Sequence, residues 1–475
     1  MKINQSSNHQ EQGSTLLVAL IISAIMGITL ASFLIMTQRQ NVSVARSQTW
    51  NAAMALTEAG VEDGLAMINK TSDGFNNLNA WVNSASSDGY TVSNSMYYVR
   101  RYVNSDSWGT NYYDVFINNS DPNSPVVSAT GYANWKYFAS AAPPSYYAAV
   151  GVGSPLPQST SRKINVKTRK DGLFTVAMAA IFQIELKGFN VSSDSFDSGD
   201  PNFSIWNGTY GVYPVGLTNK TKANGDIVTD YTIVNALSAG NAKVKGKLKT
   251  GPNGTIDIGP NGSVGDKAWV EGGTTGIKPG WSSDDMNVKF PSVTLPTTTW
   301  TPVSLQNRTI NGIFYDYVIT TSGDYWLNGL TKKLYIGTNV VCRIKCIGDV
   351  SLTGSQDEIR VAMGAVVQFY MNAANCTIKG NGVVNDNNQA INFQYYGTPM
   401  NTSLTYGGNG TFTGVIYAPD ASFTLGGGGT EERDFTGSSV TKSVKMNGKY
   451  NFHYDENLNK IGPARGFIPT DWKEM

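Results

Sequence analysis

The chain has 475 residues, a formal net charge of +1 and only 15% charged residues. That balance leaves no basic footprint for nucleic acid, and 24 Tyr, 18 Phe and 10 Trp exclude a disordered stalk. Fifty glycines among many Asn, Ser and Thr point to a turn-dense β protein, and the length predicts two or three domains.

Residues 13–38 carry no charge, and Ser14 to Met36 is a mostly apolar run of 23 residues. As a helix this run spans about 35 Å, enough for a hydrocarbon core of about 30 Å. The helix is predicted to continue, because residues 38–69 contain no proline and keep an amphipathic spacing through Met54, Val61, Leu65 and Ile68. A cleaved secretory signal needs a basic leader, an apolar stretch of about 7–15 residues and a small-x-small site. Here Lys2 is the one Lys or Arg before the run, and the run is too long. A plain single-pass anchor fits the run, as does a polar leader ending at Gly13 before a small residue, Ser14.

The last arrangement resembles the class III signal of type IV pilins and pseudopilins. It is most similar to PilX-type minor pilins, whose helices continue into text like AAMALTEAGVEDGLAMIN, residues 52–69 here. The resemblance covers about the first 70 residues. It implies that a prepilin peptidase cuts after Gly13 and methylates Ser14, leaving the membrane helix on the mature protein. Most major pilins carry a glutamate at the fifth mature position, where this chain has Val18. A carboxylate in a bilayer costs about 2.5–3.5 kcal/mol on insertion scales, so it persists only with a role. In the family that role is pairing with a neighbour's free amine. Val18 cannot pair, which implies a tip or minor position, as in the tip pseudopilin of type II secretion. Gly27 weakens the helix by about 1 kcal/mol relative to alanine; it either permits the local loosening seen in filament-forming pilins or allows close helix packing. Lys2 before the span and Arg39 and Arg46 after it lean toward a cytoplasmic C-terminus, whereas the resemblance places residues 40–475 outside the inner membrane.

Next come alternating segments separated by polar turns: 90–103, 111–118, 124–133 and 161–170. Packed on the amphipathic part of the helix, they would make a small antiparallel pilin-like head. The loop 141–158, rich in proline and aromatic residues, is a candidate contact surface. From Leu173 onward the texture changes to short apolar–polar alternations punctuated by glycine, with Asn-Gly recurring between 207 and 447 and a repeat at 251–255 and 259–263. Strand-like runs follow one another with no convincing helix between them. Stacked short strands with Gly or Asn at positive-φ corners are the signature of a β-solenoid; a β-sandwich is the alternative. Residues 413–429 and 435–458 look like the C-terminal solenoid domain of large envelope proteins with PilX-type N-termini, and are also similar to the bactofilin β-helix. Residues 194–200 and 470–475 belong to the same likeness, which covers about 173–475 and carries no established chemistry.

Cys342, Cys346 and Cys376 are the three cysteines. Residues four apart on a strand lie about 13 Å apart, beyond the roughly 7 Å Cα limit for a disulfide. Cys342 with Cys346 is thus disfavoured on a strand. Cys376 is open to either partner or to remaining a buried thiol. Of two histidines, His9 lies in the leader and His453 stands near Asp455 and Glu456, too little for a hydrolytic triad or a metal-bound water. His453 therefore reads as structural or surface. Asp194, Asp197 and Asp200 are a weak calcium candidate whose spacing does not match an EF-hand loop; turn hydrogen bonds are the simpler role. Glu431, Glu432, Arg433 and Asp434 read as a solvated loop or a partner contact.

The expectation is an α+β protein. It has a leader at 1–13, a pilin helix at 14–70 with its transmembrane part at 14–36, a β head at 71–170, a right-handed β-solenoid at 173–460 and a tail at 461–475. No catalysis and no cofactor are expected. The expected partners are other pilins, the prepilin peptidase and the inner membrane, with a surface polysaccharide or a host or abiotic surface as ligand and no nucleic acid. The body is expected in the periplasm before assembly and in an extracellular filament or at its tip afterwards. The rival readings are a membrane-tethered solenoid that binds or processes carbohydrate, and a static envelope protein.

Overall fold

The computed structural model describes residues 11–70, 79–106, 109–134, 159–187, 190–205, 209, 220–408, 410–426 and 432–475. The candidate contact loop 141–158, residues 1–10 of the leader and Glu431 lie outside the described residues. The protein is α+β: one long N-terminal apolar helix and a large, mostly strand C-terminal region. It divides into two compact units, residues 1–70, 81–169 and 468–475 in the first and 71–80 and 170–467 in the second.

In the first unit, α1 spans Glu11–Ile68 without a break. No proline interrupts it, and hydroxyls such as Ser23, Ser32 and Thr37 return their hydrogen bonds to carbonyls one turn earlier, so the polar residues of the apolar run cost the helix little. Strands β1 (Thr91–Ser93), β2 (Met96–Asp106), β3 (Gly109–Asn118), β4 (Val126–Asn134) and β5 (Ser159–Gly172) pair antiparallel in order. The C-terminal strand, Ala464–Glu474, adds a sixth strand beside β5. Residues set aside on sequence grounds as a tail therefore complete a sheet edge. Thr470 Oγ1 donates to Lys167 O and Met475 N to Lys163 O, so β5 does not end in a row of unpaired backbone groups.

One face of this sheet buries Val99, Val115, Ile117, Val127 and Ala129, and α1 buries Ala53, Thr57, Val61, Met67 and Ile68. Of the four apolar positions that marked the amphipathic spacing, Val61 and Ile68 are buried, whereas Met54 and Leu65 are half-buried. Small residues form the line of closest approach. A Cβ at Gly60 would stand 2.9 Å from Ala129 Cβ, and one at Gly131 would stand 2.5 Å from Thr57 N. Helix and sheet meet backbone to backbone, which larger apolar residues would prevent.

The second unit is built on parallel ladders. One column of paired residues runs Tyr325, Ile344, Phe369, Tyr395, Ile416, Ser439, Met178, Ile227, Leu248, Ser282. A second runs Val350, Cys376, Leu404, Phe423, Val444, Ile184, Leu237, Ile256. Most of these side chains are fully buried, and aromatic rings stack along the ladder direction, Phe412 on Phe435 at 4.5 Å and Phe435 on Phe452 at 4.0 Å between centroids. Asparagine takes the left-handed turns: eight of the nine non-glycine positive-φ residues among those described are Asn. At Gly437, φ +139°, a Cβ would run into the Gly414 carbonyl of the adjacent strand.

The order of these columns differs from the order of the chain. Strands of 301–455 stack in sequence, then the column passes from Ser439 to Met178 and continues through 178–283. The unit is thus two half-stacks meeting at a seam. Residues 284–300 run back from the far end of one half to the far end of the other. Met286 N donates to Thr250 O, Arg465 to Lys289 O, Tyr417 to Pro291 O, and Thr298 to Asp324. Eight ladder steps of about 4.8 Å separate the levels of Thr250 and Asp324, roughly 38 Å, and the twelve residues from Met286 to Thr298 span roughly 40 Å when extended. The return segment is just long enough.

Candidate functional site

The first candidate surface is the apolar half of α1. Leu16 is 73% and Val18 52% exposed, and Ile22, Met26, Phe33 and Met36 are likewise open along the same helix. Its most apolar window has a mean hydropathy of 2.5 and none of it is buried. By length and composition this helix could anchor in a membrane. Gly13 and Ser14 lie within α1, with side chains outside the described residues. Gly27 sits in continuous helix, and a Cβ there would meet nothing within 4 Å.

The second candidate is a charged chain at the seam, built around a buried histidine–aspartate pair. Strand Tyr450–Asp455 lies between strand Arg433–Met446 and strand Ser192–Phe196, with His453 in register with Thr436 and Asp194. In-register neighbours on a parallel ladder project to the same side. His453 Nδ1 is therefore 2.7 Å from Asp194 Oδ1; on the other side its Nε2 is 3.4 Å from Oδ1 of Asp434, which lies two positions before its register partner Thr436. Lys245 Nζ stands 3.8 Å from Asp194 Oδ2 and 2.9 Å from Glu271 Oε1. His453 and Asp194 are buried, Lys245 and Asp434 are half-buried, and Glu271 is exposed.

Burial pushes the His453 pKa down, but hydrogen bonds to Asp194 and Asp434 and their charges outweigh it and raise it above 6.5. The hydrogen bond from His453 holds the Asp434 carboxyl below its ordinary range against burial. Carboxylates accept only, so the imidazolium, donating from both nitrogens, is the form that satisfies both neighbours.

The sequence triplet is dispersed. Asp194 joins His453. Asp197 Oδ1 accepts from Gly199 N at 2.9 Å while Oδ2 stands 3.5 Å from Lys460 Nζ, and Asp200 Oδ1 accepts from Asn202 N at 2.8 Å. Among the described residues no three His, Cys, Asp or Glu side chains are arranged to hold a metal ion. Of the charged run near 431–434, Glu432 accepts from Asn190 and Asn451, and Asp434 belongs to the seam. The seam pairing had no signal in the sequence, because Asp194 and His453 are 259 positions apart. Cys342, Cys346 and Cys376 are free and buried; Cys376 faces Val350 and Leu404 across its ladder rather than another cysteine.

Residues 305–461 match a family model described as a domain of unknown function (DUF7305). No curated protein and no solved structure matches the chain.

Proposed function

We propose that this protein is a membrane-anchored minor pilin or pseudopilin whose second unit is a right-handed β-solenoid. In this reading the helix enters a bundle of like helices, and the body is presented for adhesion or substrate contact. The observation that carries it is α1: an apolar, wholly exposed N-terminal half continues without a break into a half that packs on a small antiparallel sheet. An anchor needs only the first half; the rigid continuation suits a helix that transmits its position in a bundle to a folded head. The body is too bulky to repeat along a dense filament. Together with Val18 at the position where most major pilins carry an acid, this favours a low-copy or tip position. The parallel columns and asparagine corners support the solenoid. A tethered carbohydrate-binding protein remains the rival. Mass spectrometry of the mature N-terminus tests the proposal. A methylated Ser14 is expected; an intact Met1, or a cut near residue 32, overturns it.

A further inference from the structure

We propose that the seam between the two half-stacks is a pH-responsive latch, closed when His453 is bridged between Asp434 on its own half-stack and Asp194 on the other. Three observations carry this. The seam joins strands that are not neighbours in the chain: the backbone bonds crossing it run Ile181 N to Thr441 O, Lys187 N to Met446 O, Ser439 N to Ala177 O, Val444 N to Gln183 O and Glu456 N to Phe196 O. The family match, residues 305–461, covers the half-stack on one side of the seam and nothing on the other. The terminal strands of that half-stack, Arg433–Met446 and Tyr450–Asp455, are covered in this chain by Met178–Ala180, Ile184–Leu186 and Ser192–Phe196. Finally, the seam is polar where Tyr450–Asp455 meets Ser192–Phe196. The aromatic stack Phe412–Phe435–Phe452 ends there, with Ser193 as the next residue in register, and charge pairs take over.

The groups facing His453 set the direction. Asp434 comes from the preceding strand and Asp194 from the following one. Lys245 and Glu271 lie beyond Asp194 on the next strand and on the helix Lys267–Glu271, and Arg433 flanks Asp434. Two carboxylates lie nearest, and the Lys245 charge is shared with Glu271. A histidine whose folded pKa is raised contributes stability that is complete below about 6.5, the unfolded value, and is lost as pH rises through the folded value. Asp434, held low, contributes stability that is present above its ordinary range and is lost as pH falls through its folded value. The latch is thus closed in mildly acidic solution and loosens as pH rises through the folded value, above 6.5. Two other pairs cross the seam, Lys222–Glu456 and Lys460–Asp197, and with the backbone bonds they hold the halves together when the histidine contact is lost, so the halves loosen rather than separate.

Hydrogen exchange of the full chain in detergent, read by mass spectrometry between pH 6 and 9 and corrected for intrinsic exchange, tests this. Peptides containing Ile181, Lys187, Ser439 and Val444 are expected to lose protection roughly tenfold or more as pH rises across this range, the worth of one hydrogen bond to a charged group. Peptides of the Val341–Cys346 and Val366–Met371 rungs serve as the internal reference and stay level. His453→Gln should remove the pH dependence of the seam peptides. Asp434→Asn, which keeps the Asp194 contact and the ring, should move the loss to lower pH and guards against misfolding of the first variant. Seam protection that tracks the reference rungs in the native chain, or a pH dependence unchanged in both variants, overturns the proposal.

Discussion

Replacing Gly131 with alanine tests the backbone-to-backbone contact on which the head rests. The new Cβ would meet the Ala53 carbonyl, Thr57 N at 2.5 Å and Leu56 Cβ at 2.8 Å. Two of these are helix backbone, which cannot rotate aside. Overpacking of this kind costs about 1–3 kcal/mol. Displacing the helix also lengthens the bond from Gly131 N to Thr57 Oγ1, now 3.1 Å, worth about 0.5–1.5 kcal/mol. A loss of about 2–4 kcal/mol in a unit of this size lowers its melting temperature by about 5–15 °C. The control is Gly27→Ala on the same helix, where the added Cβ meets open space and helix propensity improves by up to about 1 kcal/mol. Thermal unfolding of the detergent-solubilised chain, with pulsed hydrogen exchange to isolate peptides of α1 and β4, separates the two variants. If Gly131→Ala melts within about 2 °C of the parent in those peptides, the close approach does not hold the head together and the reasoning fails.

Two further predictions concern the second unit. Glu358 is buried and accepts from Tyr315 at 2.5 Å, from Asn381 at 3.1 Å and from Arg360 at 3.1 Å. Burial raises its pKa, but these hydrogen bonds outweigh it and hold the carboxyl below 4.5. Its contribution to stability is therefore present above that value and disappears as pH falls through the folded pKa, so Glu358→Gln should flatten the acid limb of urea-unfolding stability below about pH 4.5; an unchanged limb would refute the assignment. Burial pushes Cys342 and Cys376 up to about 12 and Cys346 up to about 11. The thiolate is the reactive form, so the native chain at pH 8 should resist maleimide for hours and take up three labels once unfolded in guanidinium. Rapid native labelling of any one of the three would contradict their burial.

Much of the secondary structure was legible in the residues. The uncharged run from Ser14 to Met36 and the proline-free stretch after it describe one helix, since hydrophobicity and propensity act locally. Alternation marked the strands of the head, and asparagine and glycine marked the turns, because a left-handed backbone excludes most other side chains. The seam site was not legible. His453 stood alone in the sequence and was read as structural or surface; its partners came from positions 194 and 434, brought beside it by strand register. The helix stripe was half legible. Val61 and Ile68 marked the buried side, but the contact is made by Gly60, Gly64 and Gly131, which carry no hydrophobic signal.

What the sequence determined by itself is therefore local: where the chain is helical, where it is extended and where it turns, each set by a residue's own conformational preferences and its near neighbours. Which strand lies on which was decided only by the tertiary structure. A parallel strand with an apolar inward face presents much the same hydrogen-bonding edge to any other, so nothing in residues 178–186 names 439–446 as their neighbour. The return segment 284–300, just long enough to cross the stack, and the C-terminal strand closing the head sheet resolve that degeneracy, and both are properties of the whole chain.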